Sequence, residues 1–327
     1  MNKRERIERT IAGEPADRLP AACWRYLPGD DQRSADFAHA LTTFQEQYDW
    51  DFLVAAPANS FLVSDYGAFD EWQGGMIGAR TFIKRVVQRS LDWTTLRPLD
   101  AARGALGRVV EGIRMAGEHL ADTVPLVVTV YSPLAQAADL AGDTPLMRHI
   151  RTQPERIQTG LNTLTESTVR FLEALRRMPI AGILYLIPQA DYALMSEDEY
   201  STYGLPYDRK IIDALPSKCW LNIVSFGGDL PMLKFAGGFK AQAIHWRDRE
   251  TEPALSLGKT LFNGAACGGV SVRDLQLGTP NTVREAVRDA VVQMNGRRLI
   301  VTPGGFIPAG TPLSNLRALR EAVEVKA

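Results

Sequence analysis

Cysteine and histidine are scarce in this chain, with three and four residues among 327. Cys23, Cys219 and Cys267 show no CxxC spacing, so reduced thiols in a cytoplasmic protein are expected. An excess of either charge is also missing. The 37 basic and 38 acidic residues leave no basic field for nucleic acid and no acidic tail. No apolar stretch reaches the ~18 residues that a membrane span requires. The opening segment MNKRERIERTIAGEPADRLP is charged and helical in pattern and lacks an apolar h-region, so no secretory signal is expected. Low-complexity tracts, solenoid-period repeats and flexible linkers are absent as well, which leaves residues 1–327 as one compact unit.

What is present is a series of eight short apolar runs: LPAACW (19–24), DFLVAAP (51–57), PLVVTVYS (125–132), GILYLIP (182–188), CWLNIVSF (219–226), AQAIHW (241–246), TLFNGAAC (260–267) and RLIVTPGG (298–305). Continuous apolarity, rather than alternation, is what a parallel strand buried on both faces shows, and most of the gaps are long enough for a crossover helix. The pattern predicts an α/β chain folded as a single (β/α)8 barrel. Residues 58–124 are too many for one crossover and predict an insertion between strands two and three. ARTFIKRVVQRSLDW supplies a hairpin there and residues 99–122 a helix. A long helix is expected from Pro154, a residue suited to a first helical turn.

Barrels of this kind carry their chemistry at the C-terminal strand ends. After the first run stand Arg25 and Tyr26; a guanidinium there would grip a carboxylate or phosphate, or else pair with Asp30 or Asp31. Asp65 and Tyr66 follow the second run, an acid beside a phenol that would suit proton transfer or simple loop chemistry. Ser132 after the third is expected to cap the next helix. Gln189 suits hydrogen-bonded recognition, and Ser225 opens a glycine turn with accessible amides. His245 is the one histidine inside a predicted strand, followed closely by Asp248; a neutral pKa makes it the best general acid or base, unless it is a satisfied core residue. Cys267 and Gly304-Gly305 end the last two runs.

The segments WRYLPGDDQ, SPLAQAADLAG, PERIQTGLNTLTE, SEDEYSTYGLPYDRKI, GGVSVRDLQLGTPNTVREAVRDAV and GGFIPAGTPLSNLRAL, in order along nearly the whole chain, resemble the uroporphyrinogen decarboxylase superfamily. That family includes the haem-pathway decarboxylase and the methylcobalamin-linked methyltransferases, and the resemblance implies a barrel, often a homodimer. The departures from it are specific. The arginine-rich RQAGRY segment shortens to WRY, the FSD aspartate falls near Ala58, the family tyrosine near Ala138 or Asp139, and the GHG histidine at Gly305. Where the zinc branch has His-x-Cys this chain has Ser225-Phe226-Gly227, and its later cysteine falls at Gly304-Gly305. The metal expected is therefore none.

Two readings follow. In the first, a cofactor-free, decarboxylase-like lyase acts on a carboxylated tetrapyrrole-like compound or other organic acid. Arg25 and Tyr26, with Gln189, Ser225 and Asp248, hold the substrate while Asp65, Tyr66 and His245 move a proton. In the second, a non-catalytic binding or accessory barrel is linked to corrinoid methyl transfer, with a corrinoid protein as partner.

Overall fold

Residues 1–120 and 123–324 are described by a computed structural model. Seven strands form one parallel sheet in chain order: β1 (Leu53–Ala55), then β4 (Leu126–Tyr131), β5 (Gly182–Ile187), β6 (Ile223–Phe226), β7 (Ala243–His245), β8 (Ala265–Val270) and β9 (Leu299–Pro303). Between β1 and β4 a separate antiparallel pair, β2 (Phe69–Glu71) and β3 (Thr81–Lys84), takes up part of the expected hairpin. The helix expected over 99–122 runs Gly104–Leu120, and positions 121–122 lie outside the described residues. The long helix begins at Pro154 as expected and runs to Ala174. Among the described residues no helix is long and apolar enough to cross a membrane.

Two of the eight expected strands differ. The first run is extended but forms only an isolated parallel bridge, Ala21 with Val301. Proline has no N–H to donate, so Pro20 contributes only its carbonyl, which accepts from Val301 at 2.9 Å, while the Ala22 N–H donates to Val301 O at 3.1 Å. On its other side the Ala21 carbonyl accepts from the Asp51 N–H at 3.0 Å, and its own N–H donates to the Asp51 carboxylate at 2.7 Å. Asp51 is fully buried and also receives Arg6 and Arg18, each at 2.7 Å. This charge-assisted clasp ties the first helix (Lys3–Ala12) and the first run to the root of β1. The seventh run starts late: β8 opens at Ala265, after the Asn263-Gly264 turn, and continues to Val270, so Cys267 lies mid-strand.

Register assigns the faces of the sheet. Residues paired across parallel strands point to the same side, and Tyr131, Leu186, Ser225 and His245 are successive partners across β4 to β7. All four line one cavity, which marks the inner face. Cys267, the partner of His245, belongs to that face too. The alternate residues face the helices. Tyr185 reaches Asp208 on the helix Leu205–Asp213, and Trp246 packs against Gly258. Burial on both faces explains why these strands read as unbroken apolar runs.

Candidate functional site

At the C-terminal end of the sheet the inner face opens into a cavity of about 250 Å³, walled by Trp24, Tyr26, Tyr131, Leu186, Phe226 and Phe306 among others. The first run supplies two of those aromatics. Trp24 and Tyr26 are two residues apart in an extended segment and point inward together, so Arg25 between them is turned away. Tyr26 stacks on Phe306 with ring centres 4.2 Å apart, and its hydroxyl is hydrogen-bonded to that of Tyr131. Burial pushes the Tyr131 phenol well up, so the pair is neutral.

His245 forms the polar floor. Its Nε2 lies 3.0 Å from the Pro303 carbonyl, which can only accept, so Nε2 carries the proton. Nδ1 is then a lone pair, and it accepts from the Ser225 hydroxyl at 2.8 Å. Trp24 packs edge-on against the imidazole at 5.1 Å. Burial pushes the histidine down to about 4, with the bond to Pro303 opposing the shift. A neutral imidazole with both nitrogens occupied positions Ser225 and is a poor general base near neutrality. At the rim, Arg247 is half exposed and engaged by Asp229 at 3.3 Å and Glu250 at 3.9 Å.

The expected site residues thus divide. Tyr26, Ser225 and His245 meet at the cavity. Arg25 lies in a separate groove with Asp30, Asp36 and His39, its guanidinium 4.9 Å over the Phe44 ring; no ion pair is formed with Asp30 or Asp31. The exposed Asp65 accepts from the Ala105 and Leu106 amides at 2.9 and 3.2 Å, holding the N-terminus of helix Gly104–Leu120. The Tyr66 hydroxyl bonds Ser167 at 2.6 Å. Gln189 is buried just past β5, with its Oε1 unpartnered. Asp248 is buried, accepts from the Gly269 amide at 3.0 Å and is pushed up to about 6 by that burial. Ser132 caps its helix through the Ala135 amide at 3.1 Å, as expected.

Sequence reasoning missed Trp24, Tyr131, Phe226 and Phe306. It also passed over Asp139 as a site residue. Burial pushes that carboxyl up to about 8 against the opposing charge of Arg85, and it lies near enough to the Tyr26–Tyr131 pair to raise both phenols. A larger space of about 880 Å³ lies at the opposite end of the strands, among Lys3, Arg6, Arg18, Asp49 and Arg320, residues engaged in ion pairs there.

Ser225, Gly227 and Gly305, the positions that the family resemblance sets against the zinc branch's ligands, all line the 250 Å³ cavity. They do not fit a zinc ion: two have no side chain, and the third offers a single neutral hydroxyl in place of the several nitrogen, sulfur or carboxylate ligands zinc takes. Nor does Gly227 leave room for a thiol as the backbone stands, since a Cβ there would meet Pro188 Cα at 2.9 Å. Burial pushes the Cys267 thiol up, away from the thiolate form that binds metal. Among the described residues no group of three His, Cys, Asp or Glu is placed to hold a metal ion.

A curled parallel sheet with its cavity at the strand C-termini defines an α/β protein of the barrel-like class, with ligand chemistry at that end. Residues 78–325 match the uroporphyrinogen decarboxylase (URO-D) family model, and the chain belongs to that family. It is a divergent member. The Methylcobamide:CoM methyltransferase MtbA of Methanosarcina acetivorans is 23% identical over 98% of this chain and 97% of its own length. A uroporphyrinogen decarboxylase of Prochlorococcus marinus is 27% identical but covers 52% of this chain and 47% of its own. In structure, a methyltransferase from Methanosarcina mazei superposes with a TM-score of 0.84 at 18% identity, covering 99% of this chain and 98% of that one. The end-to-end likeness to methyltransferases overturns the expectation of a cofactor-free decarboxylase.

Proposed function

We propose that this chain serves corrinoid-linked methyl transfer as a binding barrel, and that it holds the small-molecule participant in the 250 Å³ cavity without a metal-bound thiolate. One observation carries the reading. The positions that would supply a zinc site converge on this cavity yet present a serine and two glycines, beside an imidazole held neutral. A thiol is activated when it binds a metal as thiolate and releases its proton to solvent, so a cavity without ligands is ill suited to thiol methylation. The protein's own contribution is then binding and orientation: the aromatic walls enclose the ligand, Ser225 and Tyr26 contact it, and His245 fixes the Ser225 hydroxyl. In this reading the ring closes as a (β/α)8 barrel with Pro20–Ala22 in the eighth place, the β2–β3 hairpin is an insertion, and a corrinoid protein approaches the strand ends. Pairing as a homodimer and a cytoplasmic location rest on the family resemblance and the sequence.

The test uses the purified chain with methylcobalamin as corrinoid probe. We expect saturable methylcobalamin binding, zinc far below one per chain by elemental analysis, and no methylation of a small thiol above the protein-free rate. Stoichiometric zinc with chelator-sensitive thiol methylation would overturn the metal-free reading, and absence of methylcobalamin binding would overturn the corrinoid link.

A further inference from the structure

Hydrogen-bond direction inside the cavity narrows its ligand. Because Nε2 of His245 is committed to the Pro303 carbonyl, the Ser225 proton is committed to Nδ1, and Ser225 Oγ turns only lone pairs toward the cavity. In the Tyr26–Tyr131 pair one O–H is spent on the other oxygen, which leaves a second phenolic proton free to donate. Apart from His245 and Arg247, the other side chains of the lining are Trp24, Leu186, Pro188, Phe226 and Phe306. No unpaired cation balances a buried negative charge, since Arg247 stands at the rim between Asp229 and Glu250. A carboxylate would lose its hydration and face the Ser225 lone pairs. Size agrees: an apolar cavity of roughly 150 Å³ suffices for benzene, so about 250 Å³ accommodates one ring with one or two small substituents.

We infer that this cavity selects a neutral, hydroxyl-bearing single-ring compound, of the phenol class, and rejects carboxylates. A hydroxyl both donates, as Ser225 Oγ requires, and accepts, as the phenol pair requires, while the ring fills the aromatic box. The inference rests on the cavity being the ligand site, as proposed above. It reverses the carboxylated substrate expected from the sequence.

The experiment compares phenol, toluene and benzoate at pH 7 by calorimetry and by quenching of tryptophan fluorescence, Trp24 being in the wall. Phenol is expected to bind saturably, toluene at least tenfold more weakly, and benzoate not measurably at concentrations that saturate phenol. In Ser225→Ala the phenol affinity should fall at least threefold toward that of toluene while toluene changes less than twofold. The double variant Tyr26→Phe/Tyr131→Phe, which removes both phenolic protons, is the second test should Ser225→Ala fold poorly, and it should likewise narrow the gap between phenol and toluene. Benzoate binding as tightly as phenol, toluene equalling phenol in the unmodified protein, or no saturable phenol binding would each overturn the inference. Methylcobalamin binding and zinc content read the proposed function separately, so the two fail distinguishably.

Discussion

Replacing His245 with glutamine tests the electrostatic state on which the cavity's hydrogen-bond directions depend. The imidazole is buried with its pKa pushed from 6.5 to about 4, so between those values the unfolded chain binds a proton that the native state refuses. The sign follows: this histidine's contribution is present above pH 6.5 and is lost as pH falls toward 4. Taking 6.5 and about 4 as the two ends, going from pH 7 to pH 5 removes about 2 kcal/mol of stability through this group alone. Glutamine keeps an acceptor for Ser225 and a donor for Pro303 but does not titrate. Its own cost appears equally at both pH values. Urea denaturation of both proteins at pH 7 and pH 5 gives four free energies, and the difference of differences isolates the histidine from other titrating groups. We expect the unmodified protein to lose about 2 kcal/mol more than His245→Gln over that interval. Equal losses within about 0.5 kcal/mol would show that the imidazole is not held neutral, and the argument that Ser225 offers only lone pairs would fall with it.

Asp65→Ala removes the carboxylate from the Ala105 and Leu106 amides and should cost about 1 kcal/mol in urea denaturation, with phenol affinity unchanged; a loss of binding would return Asp65 to the site. Asp208, fully enclosed, accepts from Tyr185 and Tyr200 at 2.7 Å each and is pushed up to about 7 by burial. A raised carboxyl contributes stability that is present below about pH 4 and lost as pH rises through 7, opposite in sign to His245. Asp208→Asn should therefore flatten the fall in stability between pH 4 and pH 7, and an unaltered slope over that window would refute the assignment.

The sheet was largely legible because burial on both faces leaves a strong local mark. Where the reading erred, the signal was local too. Pro20 could not donate to a ladder, and Asn263-Gly264 is a turn dipeptide inside a run read as strand. Alternation also settles Arg25: in the extended triplet Trp24-Arg25-Tyr26, inward aromatics force the arginine outward, so only one of these residue types can serve the cavity. Contacts across the chain left no such mark. Asp65 meets helix amides 40 residues away, and Tyr26 meets Tyr131 across 105 positions, where the first run comes beside the end of β4.

The family motifs carried a different kind of information. They pointed to Ser225 and Gly227 on one strand end and to Gly305, far along the chain, and the three share one cavity. What the motifs could not convey is the character of a site from which ligand groups are absent. With no thiol, carboxylate or free cation among the described residues that line the cavity, selectivity passes to shape and to the direction of a few neutral hydrogen bonds. Those directions follow from one fixed acceptor, the Pro303 carbonyl, which sets the histidine tautomer and through it the serine. The chemistry of this cavity is therefore written less in its ionisable residues, where the sequence was searched, than in a backbone oxygen at the end of β9.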